Sequence, residues 1–189
     1  MSIIFHAHIV NYADDFVIVT YPGGAEEATA VMRQMMERLR LTVNETKTRI
    51  CRLPEEAFDF LGYTFGRQYS RRDGRSYLGR RPAKMKICRL CGEISAATDR
   101  RTTWQDVREL VADLNTKLRG WSNYFSVGTV VPAYETIMKH TRRRLRRWLG
   151  VKHRVRGSVV ARYPSEYLHG ELGLLLLPGC TTGWKRAKP

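Results

Sequence analysis

The chain has 189 residues, of which 43% are hydrophobic, and its 33 Lys and Arg against 18 Asp and Glu give a net charge of +15. This length suffices for one sizeable core or two small ones, and so large a positive charge indicates a polyanionic partner, with nucleic acid as the first candidate. A membrane protein is disfavoured, because the longest apolar run, 172–177, is far shorter than the roughly 20 residues that cross a bilayer. No lipidation signal or signal peptide is evident, so we expect a cytoplasmic protein.

The first eighty or so residues alternate short β-rich runs with a single helix. The runs at 3–5, 8–10 and 16–19 flank the polar stretch 11–15 and predict a β-hairpin. Two glycines at 23 and 24 end it, and apolar residues at helical spacing then predict a helix over 25–40. Further strands are predicted at 41–43, 49–51 and 58–65, and a basic turn at 70–75 precedes an extended segment that Pro82 closes.

From Pro82 onward the periodicity is helical. Helices are predicted over 83–97, over 103–125 with Thr103 as the N-cap, and over 131–149 with Pro132 in the first turn and Gly150 as the stop. The fold class is therefore α+β, with a mixed domain at 1–82, a helical domain at 83–150 and a basic, partly irregular tail at 151–189. One face of the third helix should form core, through Tyr134, Ile137, Met138, Thr141, Leu145, Trp148 and Leu149.

Two adjacent carboxylates, Asp14 and Asp15, lie between the apolar runs of the predicted hairpin. Carboxylate oxygens are the ligands that Mg²⁺ prefers, and paired Mg²⁺ ions assist phosphoryl transfer. An aspartate can equally be present because it favours turn geometry. Zinc is not expected, because Cys88 and Cys91 lack a second pair of ligands at short spacing and three-residue spacing suits packing on one helix face.

Cationic residues occupy nearly every position of the third helix outside its apolar face, and no acidic residue interrupts them. This face is predicted to bind RNA phosphates and to follow RNA shape more than sequence. The aromatic residues at 121, 124 and 125 could stack on bases, but their helical spacing favours core. The predicted RNA-binding residues of the helix are Lys139, Arg142, Arg143, Arg144, Arg146 and Arg147, and a second basic set near the domain boundary includes Arg71, Arg72, Arg80 and Arg81.

Four motifs occur in the order YADDF (12–16), LTVNETKT (41–48), FLGY (60–63) and LRGWSNYF (118–125). In this order they resemble motifs of group II intron-encoded reverse transcriptases and maturases. Residues 12–16 read YADDF and resemble the palm signature of reverse transcriptases. Residues 41–48, LTVNETKT, are similar to the next block of that family, and 60–63, FLGY, to its primer grip. Residues 118–125, LRGWSNYF, resemble the hallmark of the maturase-specific region.

The resemblance implies an RNA-directed DNA polymerase with a two-metal Mg²⁺ site, of which this chain would be the C-terminal part. Asp14 would be the principal metal ligand with Asp15 beside it, and Lys47 would approach the triphosphate. Tyr12, Ala13, Phe60, Leu61, Gly62 and Tyr63 would lie against primer and substrate. The fingers and an earlier metal-binding aspartate precede YADD in that family, so we expect the chain alone to be inactive unless another polypeptide supplies them. The implied partners are group II intron RNA and an RNA–DNA template-primer. The alternative is an RNA-binding maturase-like splicing module without polymerase activity.

Overall fold

A computed structural model describes residues 7–70 and 72–180. Helices and small antiparallel sheets make the fold α+β, as predicted. The chain forms two compact units that divide between Leu78 and Gly79, four residues before the boundary predicted at 82. Within the described ranges, no helix is both long and apolar enough to cross a membrane.

The first unit opens with the predicted hairpin. Strands β1 (Ala7–Tyr12) and β2 (Asp15–Thr20) pair antiparallel, from Ala7 opposite Thr20 to Tyr12 opposite Asp15. The β-rich run predicted at 3–5 lies outside the described residues. Helix α1 (Ala25–Arg38) follows, close to the predicted bounds. The alternating β-rich runs and the helical periodicity were therefore sufficient to locate these three elements.

The next predicted strands, at 41–43 and 49–51, are wrong, because both segments are irregular. Asn44 builds a turn between them: its carbonyl accepts from the amides of Lys47 and Thr48, and its side chain accepts from Thr46 Oγ1 at 2.7 Å. Leu41 and Ile50 remain exposed. These local bonds satisfy the backbone without a strand partner.

A second sheet has the strand order β3 (Phe58–Phe60), β4 (Tyr63–Tyr69), β5 (Ser76–Pro82). The run predicted as one strand at 58–65 is in fact a hairpin, because Leu61 and Gly62 both have positive φ and turn the chain. A two-residue turn of this handedness matches the natural twist of paired strands. The basic turn at 70–75 is confirmed by the hydrogen bond from the Ser70 amide to the Arg75 carbonyl.

The first unit has a thin core. Its buried apolar side chains, among the residues described, are Ala28 and Met32 of α1. Val10 and Val19, on one face of the β1–β2 sheet, are 51% and 50% exposed, and Ile9, on the other face, is 62% exposed. Apolar side chains left exposed on a sheet are typical of a surface that packs against another element.

The second unit is helical. Its long helices are α2 (Lys84–Ala97), α3 (Val107–Tyr124) and α4 (Val131–Lys152), followed by the short α5 (Val159–Arg162) and a π-helical turn (Tyr167–Glu171). Thr103 is not the N-cap of α3. A 3₁₀ turn (Arg100–Thr102) precedes that helix, and Asp106 caps it by accepting from the amides of Arg108 and Glu109.

Helix α4 confirms the predicted apolar face and Pro132 in its first turn, but Gly150 does not stop it. The helix continues to Lys152, and Gly150 lies where α5 packs closest. A Cβ at this position would lie 2.6 Å from Val159 Cγ1. All seven residues of the predicted face are buried, namely Tyr134, Ile137, Met138, Thr141, Leu145, Trp148 and Leu149.

The segment predicted as a tail from 151 is part of the helical core as far as it is described. Tyr163, Leu168, Leu174 and Leu177 are buried in the same cluster as the faces of α2, α3 and α4. Asn115 of α3 fixes the segment by donating to the Gly173 carbonyl at 2.8 Å and accepting from the Leu175 amide at 2.7 Å. The packed unit therefore extends beyond residue 150.

Candidate nucleic-acid interface

The two carboxylates of the YADD motif lie at the tip of the β1–β2 hairpin. Tyr12 pairs with Asp15, so Ala13 and Asp14 form the two-residue turn and Asp15 begins β2. All four residues are exposed. Ala13 has a φ of 54°, an unusual conformation for a residue other than glycine. The turn therefore places Tyr12 and Ala13 beside the two carboxylates.

The chemistry of this turn suits Mg²⁺ in part. Mg²⁺ is bound in many proteins by one or two carboxylates together with water and substrate oxygens. Asp14 and Asp15 could supply such oxygens. Within 7–70 and 72–180, no group of three or more His, Cys, Asp or Glu side chains could hold a metal ion. The pair therefore fits part of a two-metal site, and a complete site requires further ligands.

The other residues implied by the reverse transcriptase resemblance lie on separate turns of the first unit. Lys47 is an exposed residue of the Asn44 turn. The FLGY motif forms the hairpin turn between β3 and β4, where Phe60 pairs with Tyr63. Gly62 has a φ of 78°, the left-handed conformation that this turn requires. All four residues of that motif are half-buried.

The second predicted basic set surrounds the β4–β5 turn. Arg72 and Arg75 lie on the turn itself, and Arg80 and Arg81 lie on β5; all four are exposed. Arg75 is 3.8 Å from Asp73, an exposed ion pair that contributes little to stability. Arg71 lies outside the described residues. The described members leave cationic groups accessible on this hairpin.

The cationic residues of α4 separate into two groups. Lys139, Arg143 and Arg147 are exposed and follow one another at intervals of four residues, which places them on one side of the helix. We call these three residues the basic stripe. Arg142 is half-buried, and its Nε is 3.3 Å from the Met138 carbonyl. The stripe is therefore the part of the predicted RNA surface that the fold leaves open to a ligand.

Arg144 and Arg146 instead donate to the protein backbone. Arg144 donates to the Ser95 and Thr98 carbonyls at 2.7 and 2.9 Å, at the C-terminal end of α2. Arg146 donates to the Tyr163 carbonyl at 2.8 Å. Sequence reasoning grouped both with the RNA-binding residues, but their positions indicate that they also tie elements of the core together.

Two further polar contacts explain cationic positions outside the stripe. Lys152 donates to the carbonyls of Thr103 and Gln105 at 2.9 and 2.7 Å, which secures the loop before α3. His140 is half-buried and 2.9 Å from Ser95 Oγ. Burial, and next the nearby charge of Arg143, lower the pKa of His140, so this residue favours its neutral form.

The LRGWSNYF motif forms the last turns of α3, and its aromatic residues divide between core and surface. Phe125 is buried and Trp121 is half-buried against the core, with their ring centroids 4.4 Å apart. The Tyr134 hydroxyl donates to the Phe125 carbonyl at 2.6 Å and so links α3 to α4. Tyr124 is exposed. The core assignment is therefore confirmed for Trp121 and Phe125.

Sequence reasoning missed an apolar groove beside the basic stripe, between the end of α4 and α5. It is lined by Val151, Val155, Val159 and Val160 together with arginines of α4. The repeated valines over 151–160 were the available signal. They were overlooked because the segment lacks sustained periodicity.

Comparison with known proteins supports the part of the motif assignment that rests on LRGWSNYF, the maturase-specific motif. Residues 87–164 match the family model of the group II intron maturase-specific domain. The matched span begins in α2 and includes α3, α4 and α5. It therefore contains the LRGWSNYF motif and the basic stripe. No curated protein matches the chain. The protein therefore carries a group II intron maturase-specific domain at residues 87–164, as expected of the C-terminal region of a group II intron maturase or reverse transcriptase.

Proposed function

We propose that this chain is the C-terminal part of a group II intron-type RNA-directed DNA polymerase whose helical unit binds intron RNA. The observation that carries the proposal is the basic stripe, Lys139, Arg143 and Arg147, exposed on the longest helix of the matched domain. No Asp or Glu occurs over 139–165. An uninterrupted positive surface of this kind suits a phosphate backbone.

The stripe has the chemistry for recognition of RNA by shape. Arginine presents a planar fork of donors that can contact a phosphate in bidentate fashion. The deep, narrow major groove of A-form RNA keeps side chains away from base edges, so contacts fall on phosphates and 2′-hydroxyls. The exposed Arg72 and Arg75 of the first unit are further phosphate ligands that we propose for the template-primer, and we propose the same role, separately, for the exposed Arg80 and Arg81 of the second unit.

A salt series tests the RNA-binding role. If about five phosphates are contacted, log affinity for a structured intron RNA falls with log salt at a slope of about −4. Changing Lys139, Arg143 and Arg147 to Gln should flatten the slope by about 2 to 3. The matched control changes three exposed arginines elsewhere in the helical unit, Arg101, Arg108 and Arg119, so that both variants lower the net charge from +15 by 3, to +12. Equal slopes for the two variants would contradict a localised interface.

The polymerase part of the proposal rests on the first unit. Asp14 and Asp15 would hold Mg²⁺ through carboxylate oxygens, and the ion would neutralise charge on a transferring phosphate. Tyr12 and Ala13 adjoin these carboxylates at the hairpin tip and would lie against the primer end. Lys47 would neutralise triphosphate charge, and the FLGY turn (60–63) would support the primer.

Metal binding can be tested without activity. Mn²⁺ in place of Mg²⁺ should broaden the backbone NMR signals of residues 12–16, and Asp14→Asn should remove most of that effect. Asp59→Asn is the matched control, because Asp59 is also exposed in a β-hairpin of the first unit but lies outside the YADD motif. Broadening that persists in Asp14→Asn would contradict the proposed role of Asp14.

The second candidate is an RNA-binding maturase-like module without polymerase chemistry. It shares the helical unit and is favoured by the match of residues 87–164 to the maturase-specific domain. We expect no primer extension by the chain alone with Mg²⁺ and deoxynucleotides. A polypeptide that carries fingers and early palm can then be added. Primer extension that appears on this addition and is abolished by Asp14→Asn would support the polymerase. RNA binding without such rescue supports the module.

A further inference from the structure

The apolar groove beside the basic stripe has a volume of about 540 Å³. Val155 and Val159 line it and are half-buried, and Val151 and Val160, which also line it, are 45% and 57% exposed. Gly150 allows Val159 to approach α4, since a Cβ there would clash at 2.6 Å. The groove is therefore a property of how α4 and α5 pack together.

Arginines of α4 also line this groove. Arg143 and Arg147 line it and also belong to the basic stripe. Arg146 lines it too, and its guanidinium is fixed by the Tyr163 carbonyl at 2.8 Å and by Ser165 Oγ at 3.0 Å. A ligand that matches both parts needs a flat apolar group for the valines and anionic groups for the arginines.

A nucleotide has this composition. A base exposes apolar faces, and the phosphates on either side of it carry negative charge. Proteins that recognise RNA in a sequence-dependent way commonly stack unpaired bases on aromatic side chains or on guanidinium planes. In this groove, arginine guanidinium groups and valine side chains would provide the surface for the base. A phosphate backbone that follows Lys139, Arg143 and Arg147 would bring a neighbouring nucleotide to the groove.

Other occupants fit less well. The chain's own last residues include Lys185, Arg186 and Lys188, which the arginines that line the groove would repel. An apolar helix of a protein partner would bury the arginines without pairing them, which is costly. The charge complementarity therefore favours RNA.

We propose that the groove between α4 and α5 binds one unpaired nucleotide of the RNA, with the base on Val151, Val155, Val159 and Val160 and its adjoining phosphates on Arg143 and Arg147. The inference rests on the proposed RNA-binding function and adds to it a preference for bulged or looped RNA. An RNA-binding surface made of phosphate contacts alone would show no such preference.

The test compares the full chain's affinity for two RNA hairpins, one fully paired and one with a single bulged adenosine, in parallel with a version that carries 2-aminopurine at the bulge. The chain should bind the bulged hairpin roughly five- to tenfold more tightly, because one face of the base is removed from water against the valines. Its binding should also change the 2-aminopurine emission.

Val160→Asp places a carboxylate in the groove. It should reduce the ratio of affinities for the bulged and the paired hairpin to about one. Val127→Asp is the matched control, because Val127 is 47% exposed in the same unit and lies outside the groove. It should retain the preference. Circular dichroism melting of both variants would verify that each is folded.

The outcomes separate the two proposals. Salt-dependent binding of both hairpins with equal affinity would overturn the groove assignment and leave the proposed RNA-binding function standing. An undiminished preference in folded Val160→Asp would also overturn it. Failure to bind either RNA would overturn both, and capture of an apolar helical peptide in place of RNA would assign the groove to a protein partner.

Discussion

Arg144→Met tests whether the cations of α4 serve the fold or the ligand. The guanidinium of Arg144 donates to the Ser95 and Thr98 carbonyls at 2.7 and 2.9 Å and to Thr98 Oγ1 at 3.0 Å. These carbonyls end α2, where a helix lacks internal donors and where a positive charge is favourable. Methionine keeps much of the apolar stem and removes the donors.

The size of the effect follows from these contacts. A hydrogen bond from a charged donor contributes about 1.5–3 kcal/mol, and an acceptor left without a partner costs about 1–3 kcal/mol when buried. Arg144 is half-buried, so water can replace part of what is lost. We expect Arg144→Met to lower the free energy of unfolding by about 2–4 kcal/mol. For a unit of this size, the melting temperature should fall on the order of 10–20 °C.

Arg143→Met is the matched control, because Arg143 is the preceding residue of the same helix and is exposed. It should change stability by no more than about 0.5 kcal/mol. The RNA assay should give the opposite order: Arg143→Met should flatten the salt slope by about 1, and Arg144→Met should leave it unchanged at a temperature where both are folded. Equal stability of the two variants in urea titrations, or equal loss of slope, would refute the division of these arginines.

Three further variants test other contacts. Gly150→Ala should destabilise the helical unit by about 1–3 kcal/mol, because the new methyl group meets Val159, and Val159→Ala should restore much of the loss in urea titrations. Hydrogen bonds from backbone amides lower the pKa of Asp106 from 3.8, so the stabilising effect of this carboxylate is present above pH 3.8 and is lost as the pH falls through the folded-state pKa. The difference in urea midpoint between wild type and Asp106→Ala should therefore become smaller at low pH. A difference that stays constant with pH would count against the cap. Burial lowers the pKa of both His140 and His169 from 6.5, so the folded state should lose stability as the pH falls below about 6.5. A variant with Gln at both positions should show a smaller decrease in the free energy of unfolding between about pH 7 and pH 5.

The sequence was most informative where a pattern repeats within one element. The apolar face of α4 could be predicted residue by residue, because a helix of 22 residues samples its period many times. The hairpin at Asp14 and Asp15 was also predictable, since alternating runs flank a polar turn. Local pattern and tertiary structure agree in these two elements.

The sequence was least informative where distant residues decide the outcome. Nothing local to α4 distinguishes Arg143 from Arg144, because the carbonyls that bind Arg144 lie 46 and 49 residues earlier in the chain. The packing of the segment after residue 150 depends on Asn115, 58 residues before Gly173. The apolar run 172–177 was a usable signal for burial, but it was considered only as a possible membrane span.

The β1–β2 sheet has a practical consequence. Each of its strands pairs with the other on one side only, among the residues described, and Ile9 and Val19 are largely exposed on it. An open edge with apolar side chains invites pairing between molecules. Such association rises with protein concentration even when every molecule is folded. The concentration at which the protein stays monodisperse, more than its melting temperature, is therefore expected to set the limit for crystallisation and NMR.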